Sequence, residues 1–329
     1  MFTRPASRAA RRRWPLLLPA LLLLAATRVG AVDTLTSPQV TAPTTPVIAK
    51  EKAPALDTLD IESSYVGNAT FRQKEFDGKT GTQRAYGSFD EAQLSIDYAH
   101  RFHLFGQVYL KAGAGYERFD FGTTRAPLPS SLQSITGTVA LEYIEQGEVG
   151  AFITTSPGIF YSDLDAVNLG NFDAPTALGL VLPLGKKFYL LLGARFSVLS
   201  HYPVFPIAGA IWLLTDKLRI EARPPTPRLI YSYSKQLDFY VGAELLGSAY
   251  KRDADRSARP QDRRFNNTVV DFSETRVGGG ITYSPTEKID IDLDGGYSLT
   301  RDFEYYRGDS KSFHAHPAPY ARISVSASF

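Results

Sequence analysis

Three aspartates at alternate positions, Asp290, Asp292 and Asp294, followed by Gly295, have the oxygen spacing and the bend that open a calcium loop. Such a loop closes on a bidentate glutamate at its twelfth position, and that position here is Arg301. Ile289, Ile291 and Leu293 interleave with the aspartates, so a strand with one apolar and one acidic face accounts for the segment better than a metal site. His314 and His316 read as residues of an external loop, and His100 and His103 as flanking a short turn. Neither pair brings the carboxylates or thiols that a metal centre adds. Gly78-Lys79-Thr80 has the end of a phosphate-binding loop, but the residue five positions before Gly78 is Gln73, which removes the required glycine. No Gly-x-Ser-x-Gly occurs, and no Ser, His and acid grouping reads as a triad. The chain has no cysteine, which excludes disulfides, thiolate metal sites and thiol nucleophiles. The expectation is a protein without cofactor, metal or covalent chemistry.

What remains is charge placed at every second position. From residue 57 onward the apolar pattern has period two, with no competing stretch of helical spacing. Leu104/Val108/Leu110/Ala112/Ala114/Tyr116 and Phe239/Val241/Ala243/Leu245 are clear cases. This predicts an all-β protein of about 14 strands (12–14). They lie near 59–75, 85–101, 104–121, 132–145, 148–161, 175–184, 187–199, 206–214, 217–223, 227–234, 237–251, 268–284, 288–303 and 319–329. The connections alternate in length. Short turns fall at 101–104, 145–148, 185–187, 215–216, 234–236 and 284–287; longer ones fall at 76–84, 122–131, 162–174, 200–205, 252–267 and 304–318, with a shorter link at 223–227. One trim end and one decorated end are the pattern of an antiparallel transmembrane β-barrel, and an even strand count keeps both ends of the chain on the trim side. Aromatic residues fit two interfacial girdles. Phe102, Phe105, Tyr143, Phe188, Tyr233, Phe239 and Tyr283 lie beside the short turns, and Tyr116, Phe119, Phe160, Phe196, Tyr250, Phe272 and Phe303 beside the long loops. A soluble sandwich is the competing fold.

If the apolar row faces lipid, the intervening charges face the lumen: Asp97, Lys111, Glu142, Arg195, Arg219, Glu221, Arg223, Arg228, Glu244, Arg276, Asp290, Asp292, Asp294 and Arg322. The opposite placement would cost about 2–4 kcal/mol for each Arg or Lys at the bilayer midplane.

The start of the chain reads as a leader. Residues 1–31 carry six arginines and no acid, and the apolar run Trp14–Ala26 is too short to span a bilayer, so a signal peptide cut after Ala31 is expected. Of the 36 basic residues, 30 then remain against 34 acidic ones, so the mature charge is about −4 rather than +2. Residues 32–56, with prolines at 38, 43, 46 and 54, read as a periplasmic linker before a barrel over 57–329. The segment Lys251–Arg264 has six basic and three acidic side chains and no aromatic, which suits anionic polysaccharide or lipid headgroups and not nucleic acid.

The tail alternates Ala321, Ile323, Val325, Ala327 and Phe329 with Arg322, Ser324, Ser326 and Ser328. It resembles the C-terminal signal of bacterial outer-membrane barrels, with Ala327 where that signal has a large aromatic. The resemblance implies outer-membrane location, recognition of Ile323, Val325 and Phe329 by the barrel-assembly machinery, and pairing of the last strand with the first. Residues 175–250, with Leu182-Pro-Leu184, Pro206–Trp212 and Pro227–Tyr231, resemble an uncharacterised family of secreted bacterial β proteins, which implies no activity. The leading expectation is a passive channel for ions or small polar solutes selected by lumen charge. A closed structural or surface-binding barrel is the alternative, and a barrel hydrolase a more remote one. A barrel wider than eight strands leaves room for water, which favours the channel.

Overall fold

The computed structural model describes residues 55–74, 85–122, 125–145, 149–164, 167–252, 263–307 and 311–329. The expected leader, nearly all of the linker, Gly78–Thr80 and most of the basic segment after Arg252 lie outside the described residues.

Seventeen strand segments form one sheet. They are β1 (Asp57–Lys74), β2 (Ala85–Phe105), β3 (Val108–Phe121), β4 (Ser131–Tyr143), β5 (Gly150–Thr155), β6 (Gly158–Tyr161), β7 (Phe172–Asp173), β8 (Thr176–Pro183) and β9 (Phe188–Phe196). Then come β10 (Val204–Leu213), β11 (Leu218–Ala222), β12 (Arg228–Ser232), β13 (Leu237–Lys251), β14 (Val269–Thr286), β15 (Ile289–Tyr306), β16 (Lys311–Ala315) and β17 (Ala318–Ser328). Three strands are interrupted at prolines, between β5 and β6 at Pro157, β7 and β8 at Pro175, and β16 and β17 at Pro317, because proline cannot donate to the ladder. Joined across these breaks, the segments make fourteen antiparallel strands in chain order. β17 pairs with β1 from Thr58↔Ser328 to Val66↔Tyr320, which closes the sheet into a barrel.

Strand length divides the barrel. β1, β2, β14 and β15 have 18 to 21 residues, whereas β11 and β12 have five each. Above the short strands the tall part draws together, and Lys251 of β13 bridges to Tyr161 of β6 in parallel. The loop between β9 and β10 is fixed by Asp173, which accepts from the Ser197 hydroxyl at 2.6 Å and the Val198 amide at 3.0 Å, while Leu199 packs into the upper core.

Alternation sets the two faces. Ile61, Leu94, Ile96, Leu141, Ile153, Leu192, Val241, Leu293 and Ile323 stand exposed on the outside, with Trp212 at the turn end of β10. Two expected boundaries move. β2 continues through residues 101–104 and turns at Gly106, whose φ of +55° permits a tight reversal that a side chain disfavours. The expected loop 304–318 is mostly strand, so His314 sits on β16 beside Asp302 at 2.8 Å.

The upper aromatic girdle requires a larger correction. Phe119, Phe160, Tyr250, Phe272 and Phe303 are not at an outer interface; they are buried inside, with Tyr116 and Phe196 alone of that set pointing outward. Parity is the reason: Phe119 shares the face of Lys111 and Glu117, and Phe272 that of Arg276.

Candidate functional site

The barrel interior is the candidate site, and its side chains fall into levels. At the decorated end Phe71, Phe89, Phe119, Phe272, Phe303 and Phe313 converge from β1, β2, β3, β14, β15 and β16 with almost no exposure. Phe119 and Phe272 lie 4.9 Å apart, Phe272 and Phe303 5.0 Å, and Phe71 meets Phe89 edge-on at 5.3 Å. These are packed-core contacts, each worth about 0.5–1.5 kcal/mol beyond burial. Phe265 and Tyr305 cover them, and Tyr305 donates to the carbonyl of Pro127 at 2.7 Å. The bore of the tall half is therefore filled at this level.

Beneath lies a buried ionic network. Arg276, fully buried, donates to Glu274 at 2.7 Å, Glu91 at 3.3 Å, Ser64 at 3.0 Å and Gln93 at 3.2 Å, with Glu244 at 3.6 Å. Arg301, just above, is 3.5 Å from Glu91 and lies over the Phe89 ring at 4.8 Å. Arg322 links Asp294 at 2.7 Å and Glu62 at 3.2 Å with Glu244. Tyr240 donates to Asp294 at 2.8 Å. The network joins β1, β2, β13, β14, β15 and β17 across the interior; Arg276 and Arg322 replace their lost hydration with several acceptors, and Arg301 has Glu91 and the Gly67 carbonyl, each at 3.5 Å.

Toward the short turns most charges are less buried, with Arg101, Glu142 and Arg195 as buried exceptions. Arg101 donates to Glu142 at 2.8 Å. Arg219 holds Glu221 at 3.0 Å and Asp238 at 3.2 Å, and Arg223 holds Glu221 at 3.2 Å. Arg228 stacks 4.4 Å over Tyr240. Asp292 receives the hydroxyls of Thr282 and Ser324, and Asp290 that of Ser284. Asp97, Lys111 and Arg195 point inward from β2, β3 and β9. Of the fourteen charged residues named from the sequence, the thirteen on strands lie on the inner face, Arg223 follows β11 and contacts Glu221, and Glu244, Arg276, Asp294 and Arg322 come into one cluster. Glu62, Glu91, Glu274 and Arg301 complete that cluster and were not in the sequence-derived set. Glu274 shares the unbroken alternation of Arg276 on β14, whereas Arg301 reaches the inner face because a bulge at Leu299 shifts the count on β15, and this bulge has no sequence signal.

The opposite wall differs. On β8, β9 and β10 the inner positions include Val181, Tyr189, Leu191, Phe205, Ile207 and Ile211, all half-buried. Gly179, Gly193 and Gly209 occupy inner positions between them, so this wall is largely apolar, with Arg195 of β9 its charged residue. Both of its faces are apolar, since Leu178, Leu180 and Leu192 point outward. The sequence signal for it is the failure of alternation at Tyr189–Ala194 and Pro206–Leu213. Among the described residues no group of three His, Asp or Glu is arranged to hold a metal ion.

With this geometry the chain is similar to solved outer-membrane proteins. An outer-membrane channel from Pseudomonas putida F1 matches over 86% of this chain and 100% of its own, at 13% identity and a TM-score of 0.45. The toluene transporter TodX of Pseudomonas putida matches over 84% of this chain and 90% of its own, at 12% identity and a TM-score of 0.38. The NanC porin matches over 82% of this chain and all of its own, at 11% identity and a TM-score of 0.35. No protein-family model matches the chain, residues 175–250 included, and no curated protein does.

Proposed function

We propose that the protein is an outer-membrane channel that admits small apolar or amphipathic molecules along the inner wall of β8, β9 and β10. The observation that carries this reading is the contrast between a half-buried, largely apolar wall and an opposite wall whose arginines are each held by carboxylates. The encircling belt of exposed apolar side chains is stable in hydrocarbon and costly in water. The basic-then-apolar leader and the alternating tail ending in Phe329 support export and insertion by the barrel-assembly machinery.

An ion pore filtered by free lumen charge is the weaker reading. Arg101, Arg219, Arg276, Arg301 and Arg322 are each engaged by carboxylates, which leaves little field for a passing ion. A closed, ligand-holding barrel is the second reading, favoured by the aromatic block over the tall half.

The test uses the full chain in proteoliposomes. The channel reading expects entry of a small amphipathic dye that protein-free liposomes exclude, with no steady ion conductance in a planar bilayer. Open-channel steps whose reversal potential follows the lumen charges would restore the ion pore. Ligand binding with neither dye entry nor conductance would establish the closed barrel.

A further inference from the structure

The inner wall formed by β2, β3, β4 and the broken strand β5–β6 contains a recess, and we infer that it binds a short-chain primary ammonium ion. The inference needs only the barrel wall, so its failure and the failure of the channel reading are separable.

Two adjacent rungs of the sheet build the recess. One rung runs Ser95, Glu117, Ser134 and Phe160; the next runs Asp97, Gly115, Thr136 and Gly158. On the second rung Gly115 has no side chain and the Asp97 carboxylate occupies the space over it, since a Cβ there would lie 2.3 Å from Asp97 Oδ1 and 3.0 Å from Thr136 Oγ1. Ser156 and Pro175, at the two proline breaks, complete a small cavity with these residues. Phe160 lines it and meets Tyr250 edge-on at a centroid distance of 6.0 Å, both rings belonging to the upper core. Tyr250 also donates to Glu117 at 3.2 Å, which fixes that carboxylate.

The lining chooses the ligand. Its polar atoms are a carboxylate on each rung and the hydroxyls of Ser95, Ser134, Thr136 and Ser156. Asp97 accepts a hydrogen bond from Ser95 at 2.9 Å, which orients one oxygen and leaves the other facing Gly115. A primary ammonium has three N–H donors and one positive charge, which suit one carboxylate and two hydroxyl oxygens. Its short alkyl stem would lie against Phe160 and Pro175. A neutral alcohol of the same length has one donor and no charge to offer the carboxylate.

The full chain, folded in detergent and checked for the heat-modifiable mobility of a closed barrel, is titrated with butylammonium chloride and with 1-butanol by calorimetry. Butylammonium is expected to bind saturably and to lose about tenfold or more in affinity in Asp97→Asn, because a charged hydrogen bond is lost. Gly115→Ala, whose added methyl displaces the Asp97 carboxylate, is expected to abolish binding. Should that variant not fold, Thr136→Val serves as the second probe and is expected to weaken butylammonium alone. Equal binding of butylammonium and 1-butanol, no saturable binding of butylammonium, or an unchanged affinity in Asp97→Asn would overturn the inference.

Discussion

The tall half of the barrel, built from β1–β4 and β13–β17, and the low half, built from β8–β12, solve the same problem in opposite ways. Both curve around one interior wider than the side chains of a narrow barrel can fill. The tall half spans it with aromatics above and buried arginines below, so its residues touch partners on other strands rather than solvent. The low half lines its part of the bore largely with half-buried aliphatics on β8, β9 and β10. Rigidity and passage are thereby assigned to different arcs of one sheet.

Arg276→Met tests the rigid half most severely. It leaves Glu91, Glu244 and Glu274 buried without their common cation, and a loss of about 3–5 kcal/mol in unfolding free energy, read as a lower urea midpoint, is expected. Replacing Glu91 and Glu274 by Gln in the same chain should recover most of that loss. If the single variant unfolds at the wild-type midpoint, the network is not what ties the tall half together.

Adjacent leucines on β9 test the assignment of faces in the low half. Leu192→Arg places charge on the lipid side and should cost about 2–4 kcal/mol near the midplane, whereas Leu191→Arg faces the bore and should cost much less. Equal penalties would contradict the register. Ile207→Asp, on the inner face of β10, should fold with near-native stability and slow dye entry about tenfold, a barrier increase of about 1.4 kcal/mol. The smallest effect belongs to Arg223→Gln at the rim of the low half, a half-exposed partner of Glu221. Its midpoint should shift by no more than about 1 kcal/mol, with unchanged dye entry.

Much of this division is visible in the amino-acid order, and the invisible part has specific causes. Period-two alternation locates the strands and puts Arg276, Asp294 and Arg322 inside, because a lipid face tolerates no charge. The aromatic block misleads because phenylalanine suits both a lipid interface and a protein core, and only parity with a charged neighbour separates them, as for Phe119 and Glu117. The apolar inner wall leaves no alternation at all, since Leu191 and Leu192 look alike and point apart. Turn positions slip where one glycine decides, as at Gly106. The ammonium recess is the least legible feature, since it depends on how Asp97, Gly115 and Thr136 meet across strands whose pairing no single segment specifies.

The seam between β1 and β17 has a kinetic consequence. The Asp57 amide donates to the carbonyl of Phe329 and the Phe329 amide to that of Asp57. These partners are about 270 positions apart, so their pairing carries nearly the largest loop-closure entropy the barrel domain can impose. Every other neighbouring pair of strands can zip as a local hairpin, but this one must wait for both ends of the sheet. Until it forms, β1 and β17 are bare edges inviting a foreign strand, which makes the final closure the moment of greatest exposure to misassembly.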